Sequence, residues 1–215
     1  AWDMLHGNLL LHGWSMSDVS FYTTELPEYA LLERLFGLHT DTAHIGVAIT
    51  YTLVLVLAVL LALGRADQRA ASGGTLPRIL LTGGIMFAPQ LGVAVFILLL
   101  SVGHIGTAVP LLLIWLVLDR LGGARSATLR RAVPVIVGLL LTWALTADPL
   151  VLVVGIIPLV AVCALRVARA MFTAQQKAGR EPGDRGWVQA SLAAQAWELS
   201  LAAAAILAEV LASLI

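Results

Sequence analysis

Charge is what this sequence has least of. Only 12% of its 215 residues are Asp, Glu, Lys or Arg, too few to give a globular domain a water-facing surface. Acids and bases balance at 13 each, so no basic excess points to nucleic acid. A single cysteine, Cys163, lies inside an apolar run and excludes an internal disulfide. Zinc-type Cys/His spacing, a phosphate-binding P-loop, a GxSxG turn and a Ser-His-Asp order are all missing, which removes the classes of chemistry they carry. No relay of Asp and His crosses the apolar runs. The N-terminus lacks the basic region and apolar stretch of a signal peptide. It opens on Ala1-Trp2-Asp3, in a polar amphipathic segment with no helix before it, as expected of a fragment whose first membrane helix is missing.

What the chain has in quantity is apolar sequence. Hydrophobic residues make up 60% of it, and the mean hydropathy is +0.93. The apolar runs are His44–Gly64, Ile79–Leu100, Ile105–Leu118, Val133–Ala147, Leu150–Leu165 and Gln189–Ile215. Helices are the economical way to satisfy backbone groups in lipid. The expected fold is therefore all-α: one polytopic membrane bundle over residues 1–215, with an outer amphipathic segment at 1–42 and about six spans in 43–215. Some of the runs fall short of the roughly 20 residues that cross a ~30 Å hydrocarbon core. Short spans persist where they are buried in protein or line a wet cavity.

Charge placement sets the topology. All basic residues but Arg34 fall in three segments: Arg65, Arg69 and Arg78; Arg120, Arg125, Arg130 and Arg131; Arg166, Arg169, Lys177, Arg180 and Arg185. The positive-inside rule puts these loops in the cytoplasm. Residues 1–42, the turn at Ser101–His104 and the turn at Asp148–Pro149 are then outside. On that face lie Asp3, Asp18, Glu25, Glu28, Glu33 and Asp41, against Arg34 alone. Met4–Trp14 is expected to lie flat at the interface. Pro27–Phe36 reads as a short helix, with Pro in its first turn and Gly37 as its C-terminal cap.

Four constellations are candidates for chemistry. The outer acids Asp3, Asp18 and Glu25 suit a general base or a metal ligand, although each taken singly reads more simply as loop solvation. "GHIGTAVP", Gly103–Pro110, offers His104, Thr107, close backbone approach at its glycines and N–H groups able to bind a phosphate. A tight hairpin with an interfacial histidine is an equal reading. In "TADPL", Asp148 before Pro149 is a helix-start signal in its own right. In the last run, Ser191, Gln195, Glu198, Ala202, Ile206, Glu209 and Ser213 share one helical face, and intramembrane carboxylates are functional candidates. Gly84, Ala88 and Gly92 form a small-residue stripe that implies close helix packing, and Pro89 and Pro158 imply kinks.

Residues 9 to 38, "LLLHGWSMSDVSFYTTELPEYALLERLFGL", resemble the first outer loop of the GT-C class of membrane glycosyltransferases. In lipid-linked-sugar transferases a Gly-Asp-Trp-like turn precedes an acid-x-Pro-Pro element and a Leu-rich helix ending in Phe-Gly. His12–Trp14, Glu25–Tyr29 and Leu35–Gly37 stand in those places, with Glu28 where the second proline would be. "FYTTELP" and "GHIGTAVPLLL" also look like multi-span membrane proteins of high-GC actinobacteria. The resemblance implies transfer of a sugar from a polyprenyl-phosphate carrier on the outer membrane face, in some members with a divalent metal. It implies Glu25, Asp18 and Asp3 as catalytic acids, with His104, Thr107, Asp148 and Arg34 as substrate contacts. The expected partners are the bilayer and a lipid-linked sugar donor, together with further portions of the same chain. The competing expectations are a permease with Glu198, Glu209 and Asp148 along its path, and a non-catalytic membrane protein.

Overall fold

The computed structural model describes residues 1–15, 19–65, 74–88, 105–123, 126–178 and 194–214, all in helices or connecting turns. A four-residue helix α1 (Trp2–Leu5) opens the chain. The turns after it are tied by Asn8, whose side chain donates to the His12 carbonyl at 3.0 Å and accepts from the His12 N–H at 2.7 Å. Helix α2 covers Glu25–Phe36. It starts two residues before the position Pro27 implies, so Glu25 rather than Pro27 begins its first turn. It ends at Gly37, whose φ of +80° lies in the left-handed region that glycine enters without strain.

Helix α3 (Thr40–Leu63) is followed by α4 (Thr75–Phe87), α5 (Ile105–Leu121) and α6 (Ala127–Ala147). A π-helical stretch, Leu152–Ile156, then leads into α7 (Ile157–Ala178), and α8 is Ala196–Ala212. The π-helical turns sit where Pro158 requires them. Proline has no N–H to donate one turn back, and its ring crowds the carbonyl four residues earlier. A locally widened turn removes that clash. The expected kink at Pro89, with the rest of the run to Leu100, lies outside the described residues.

Helices Thr40–Leu63, Ala127–Ala147 and the continuous Leu152–Ala174 are long and apolar enough to cross a membrane, with mean hydropathies of 2.6, 1.5 and 2.1 over their best windows. They mark the chain as a membrane protein. At ~1.5 Å rise per residue, α5 and α8 reach about 25 Å, short of a ~30 Å hydrocarbon core. The exposed surfaces agree with lipid as solvent. Ile45, Ile49, Leu53 and Val56 on α3, and Val135, Leu139 and Trp143 on α6, all lie on the outside of the fold.

Contacts at the helix ends give their directions. Arg65 and Arg120 bring the C-terminal ends of α3 and α5 together around Asp119. The Tyr51 hydroxyl donates to the Met86 carbonyl, near the end of α4. Thr107 at the start of α5 meets Asp148 at the end of α6. Gly138 of α6 lies against Ala204 of α8, and Arg130 against Trp197, so those two helices run parallel with α7 between them in sequence. Successive helices from α3 to α8 therefore alternate in direction.

The core is centred on α6. Val133, Val137, Leu141 and Ala144, spaced at helical periodicity, are at most 1% exposed. They pack on Ile114 of α5, Ile156, Leu159 and Cys163, and Leu201, Ala205 and Ala208 of α8. Small residues line the contact of α6 and α8: a Cβ on Gly138 would stand 3.4 Å from the Ala204 Cβ, at van der Waals distance. The small-residue stripe expected to do this, Gly84 with Ala88 and Gly92, does not at Gly84, which has open space beside it. Gly92 lies outside the described residues. A small-xxx-small pattern permits close packing, but which helix face meets a neighbour is set by the whole bundle.

Candidate functional site

The loop before α2 binds the end of α6. Ser20 Oγ donates to the Thr146 carbonyl at 2.9 Å, Thr23 Oγ1 to the Trp143 carbonyl at 2.6 Å, and the Phe21 N–H to the Ala147 carbonyl at 3.2 Å. The Trp143 indole N–H returns a bond to the Thr23 carbonyl. These bonds supply donors to carbonyls that a helix leaves unmatched at its C-terminus. Phe21 is held at φ +53°, an uncommon conformation for an aromatic residue. Its carbonyl accepts from the Leu26 N–H at 3.0 Å, so bonds on both sides of Phe21 hold the turn.

This clamp delivers Glu25 into the bundle. Its side chain is 4% exposed, and Oε1 accepts the Gly106 N–H at 3.2 Å. The Thr24 hydroxyl donates to Oε2. Gly106 is a glycine for a steric reason: a Cβ there would overlap the Glu25 carboxyl group. The sequence expectation that glycine permits a close approach at this helix start holds at Gly106, and the group that approaches is Glu25. The N–H that was a candidate phosphate donor is thereby taken up.

Asp148 lies beside it, 1% exposed. Oδ1 accepts the Leu150 N–H at 2.9 Å, the capping bond that the Asp-Pro pair implies. Oδ2 accepts the Thr107 hydroxyl at 3.2 Å, and Thr107 itself is 3% exposed. Gly106 and Thr107 are neighbours in the first turn of α5, so Glu25 and Asp148, far apart in the sequence, meet the same turn.

Glu28 is the third acid of this end. It follows Glu25 by three residues and shares its face of α2. Oε2 accepts the Thr50 hydroxyl of α3 at 2.7 Å, while Oε1 is buried without a partner. Burial raises its pKa above the ordinary carboxylic value; the Thr50 bond opposes this and the nearby Glu25 adds to it. Burial, then Glu28 and Glu25, likewise raise the Tyr29 phenol. Tyr29 and Leu32 seat α2 on α3 at Gly46, where a Cβ would come 2.7 Å from the Tyr29 ring. Sequence reasoning passed over Glu28 as a site residue. The signal was the i, i+3 spacing from Glu25, visible only once the helix starts at residue 25.

The other candidates fall elsewhere. Asp3 Oδ2 accepts the Trp14 indole N–H at 2.8 Å and holds the N-terminal turns together. Arg34 is exposed on the last turn of α2. Asp18 and His104 lie outside the described residues. On α8, Glu209 Oε2 is buried without a partner. Among the described residues no three His, Cys, Asp or Glu side chains gather as a metal site. No family model, curated protein or solved structure matches the chain.

Proposed function

We propose that the chain is a multi-pass protein of the cell membrane, with its arginine-bearing loops in the cytoplasm and residues 1–42 outside. On this reading it moves a sugar from a polyprenyl-phosphate carrier to a hydroxyl acceptor at the outer end of the bundle. The reaction class rests on the GT-C resemblance of residues 9–38. The orientation rests on the clustering of basic residues in the sequence, of which Arg65, Arg120 and Arg130 lie at the pole opposite Glu25 and Asp148.

One observation carries the site: among the carboxyl oxygens of Glu25, Glu28 and Asp148, Glu28 Oε1 is the one without a protein partner. Glu28 is the base in this reading. A raised pKa brings a carboxylate closer to the basicity that a hydroxyl proton demands. Glu28 takes the acceptor's proton, the acceptor oxygen bonds to the anomeric carbon, and the bond from that carbon to the carrier phosphate breaks with inversion. Glu25 and Asp148 position α2 and α5 around it. Arg34 is the exposed cation on α2 available to the departing phosphate.

The test is transfer of a labelled sugar from a polyprenyl-phosphate donor by the purified protein in liposomes. Glu28→Gln is expected to lose ~10²-fold or more with the protein still folded. Wild-type rates in Glu28→Gln would remove the base, and no transfer by the wild type from a panel of such donors would remove the reaction class. The permease reading is favoured by Glu209, whose buried Oε2 has no partner on α8. There, Glu209→Gln abolishes transport and Glu28→Gln is silent.

A further inference from the structure

Away from the acids, α6 and α8 leave an open groove of about 840 Å³ between them, within the ~300–1,000 Å³ of ordinary ligand sites. Its floor and walls include Pro134, Gly138, Ala203, Ala204 and Leu207. Its two interior hydroxyls are already satisfied: Thr142 donates to the Gly138 carbonyl at 3.0 Å, and Ser200 to the Trp197 carbonyl at 2.8 Å. The length of the groove therefore asks for nothing polar. From Arg130 to Thr142 it runs about 18 Å at ~1.5 Å per residue, close to half of a ~30 Å hydrocarbon core. That is the depth of one leaflet.

One end differs from the rest. Arg130 and Arg131 line it, both exposed, and neither is in an ion pair among the described residues. The Arg130 guanidinium lies 6.0 Å from the centre of the Trp197 ring, and the Trp197 indole N–H is buried without a partner. Two exposed guanidinium groups thus sit at one mouth of an apolar trough one leaflet deep. We infer that this groove holds an anionic phospholipid, with an acyl chain along Gly138 and Ala204 and the phosphate against Arg130 and Arg131. Its charge and length fit an amphiphile with one anionic end, and basic pockets between membrane helices bind such headgroups. The site stands independently of the chemistry proposed at Glu28, being at the other end of α6.

The test is native mass spectrometry of the intact protein in detergent, titrated with phosphatidylglycerol or phosphatidylcholine of the same chains. Phosphatidylglycerol is expected to be retained about tenfold more strongly. That preference should vanish in Arg130→Gln/Arg131→Gln and survive in Arg166→Gln/Arg169→Gln, which removes two exposed arginines from α7. Ala203→Phe, which fills the groove from an exposed position, should weaken retention of both lipids without changing the oligomeric state. Equal retention of the two lipids by the wild type would overturn the assignment. So would equal losses in the two arginine pairs, meaning a diffuse basic surface, or a dimer that Ala203→Phe dissociates, meaning that a second copy fills the groove.

Discussion

At the end of the bundle where residues 19–25 dock, the carboxyls of Glu25 and Asp148 are buried, and their donors are backbone N–H groups and hydroxyls. At the opposite end stand arginines, partly exposed. Arg120 donates to the Leu60 carbonyl at 2.8 Å, Arg65 to the Asp119 carbonyl, and both flank the Asp119 carboxyl group. Both ends face the same difficulty, that helices stop with unmatched backbone groups. The acids answer N–H groups at helix starts and the arginines answer carbonyls at helix ends, as the helix dipole favours. The difference lies in what failure costs. A buried acceptor lost from the first end leaves donors stranded away from water, whereas water replaces a lost partner at the second.

That contrast is open to measurement, most forcefully at Asp148. Asp148→Ala removes a helix cap and the acceptor of a buried threonine hydroxyl, and is expected to cost about 2–4 kcal/mol. Asp148→Asn, which keeps an acceptor, should cost clearly less. Reversible unfolding in mixed micelles would read both, and a cost for Asp148→Ala under about 1 kcal/mol would show that the turn is not tightly held. Gly106→Ala comes next. It forces the Glu25 carboxyl group away from the α5 N–H, at about 1–3 kcal/mol. Combining it with Glu25→Ala should recover part of that loss, because the overlap is then gone.

At the basic end, Asp119→Asn should fall within ~1 kcal/mol in the same assay and shrink further in high salt. A loss as large as that of Asp148→Ala would erase the distinction between the ends. The smallest signal is a pH drift from Glu28. Its pKa is raised on folding, so the folded state holds its proton more tightly than the unfolded state. Stability then falls as pH rises from the ordinary carboxylic value, 4.5, through the raised one. The melting-temperature gap between Glu28→Gln and wild type should widen in favour of the variant across that window. A gap that stays flat would mean Glu28 is not desolvated.

Particular residues show how much was legible beforehand. The pair Asp148-Pro149 announced its cap because the signal is local: the donor lies two residues along the chain. The long apolar runs foretold the membrane-type helices, since the hydropathy of a segment is set by its own side chains. The start of α2 was read two residues late, because Pro27 is a strong first-turn signal while Glu25 is recruited by Gly106, 81 positions away. With that start misplaced, the shared face of Glu25 and Glu28 was hidden. Gly84 shows the opposite case, a local pattern that meets no neighbour among the described residues.

Composition by itself determined that this is a helical membrane protein, because transfer from water to lipid is governed by each segment's own atoms. Tertiary structure alone decided that Glu25 and Asp148 meet one turn of α5, that Glu28 keeps an unpaired oxygen, and that a groove runs along the seam of α6 and α8. Those outcomes depend on distances between residues far apart in sequence, which no local propensity encodes.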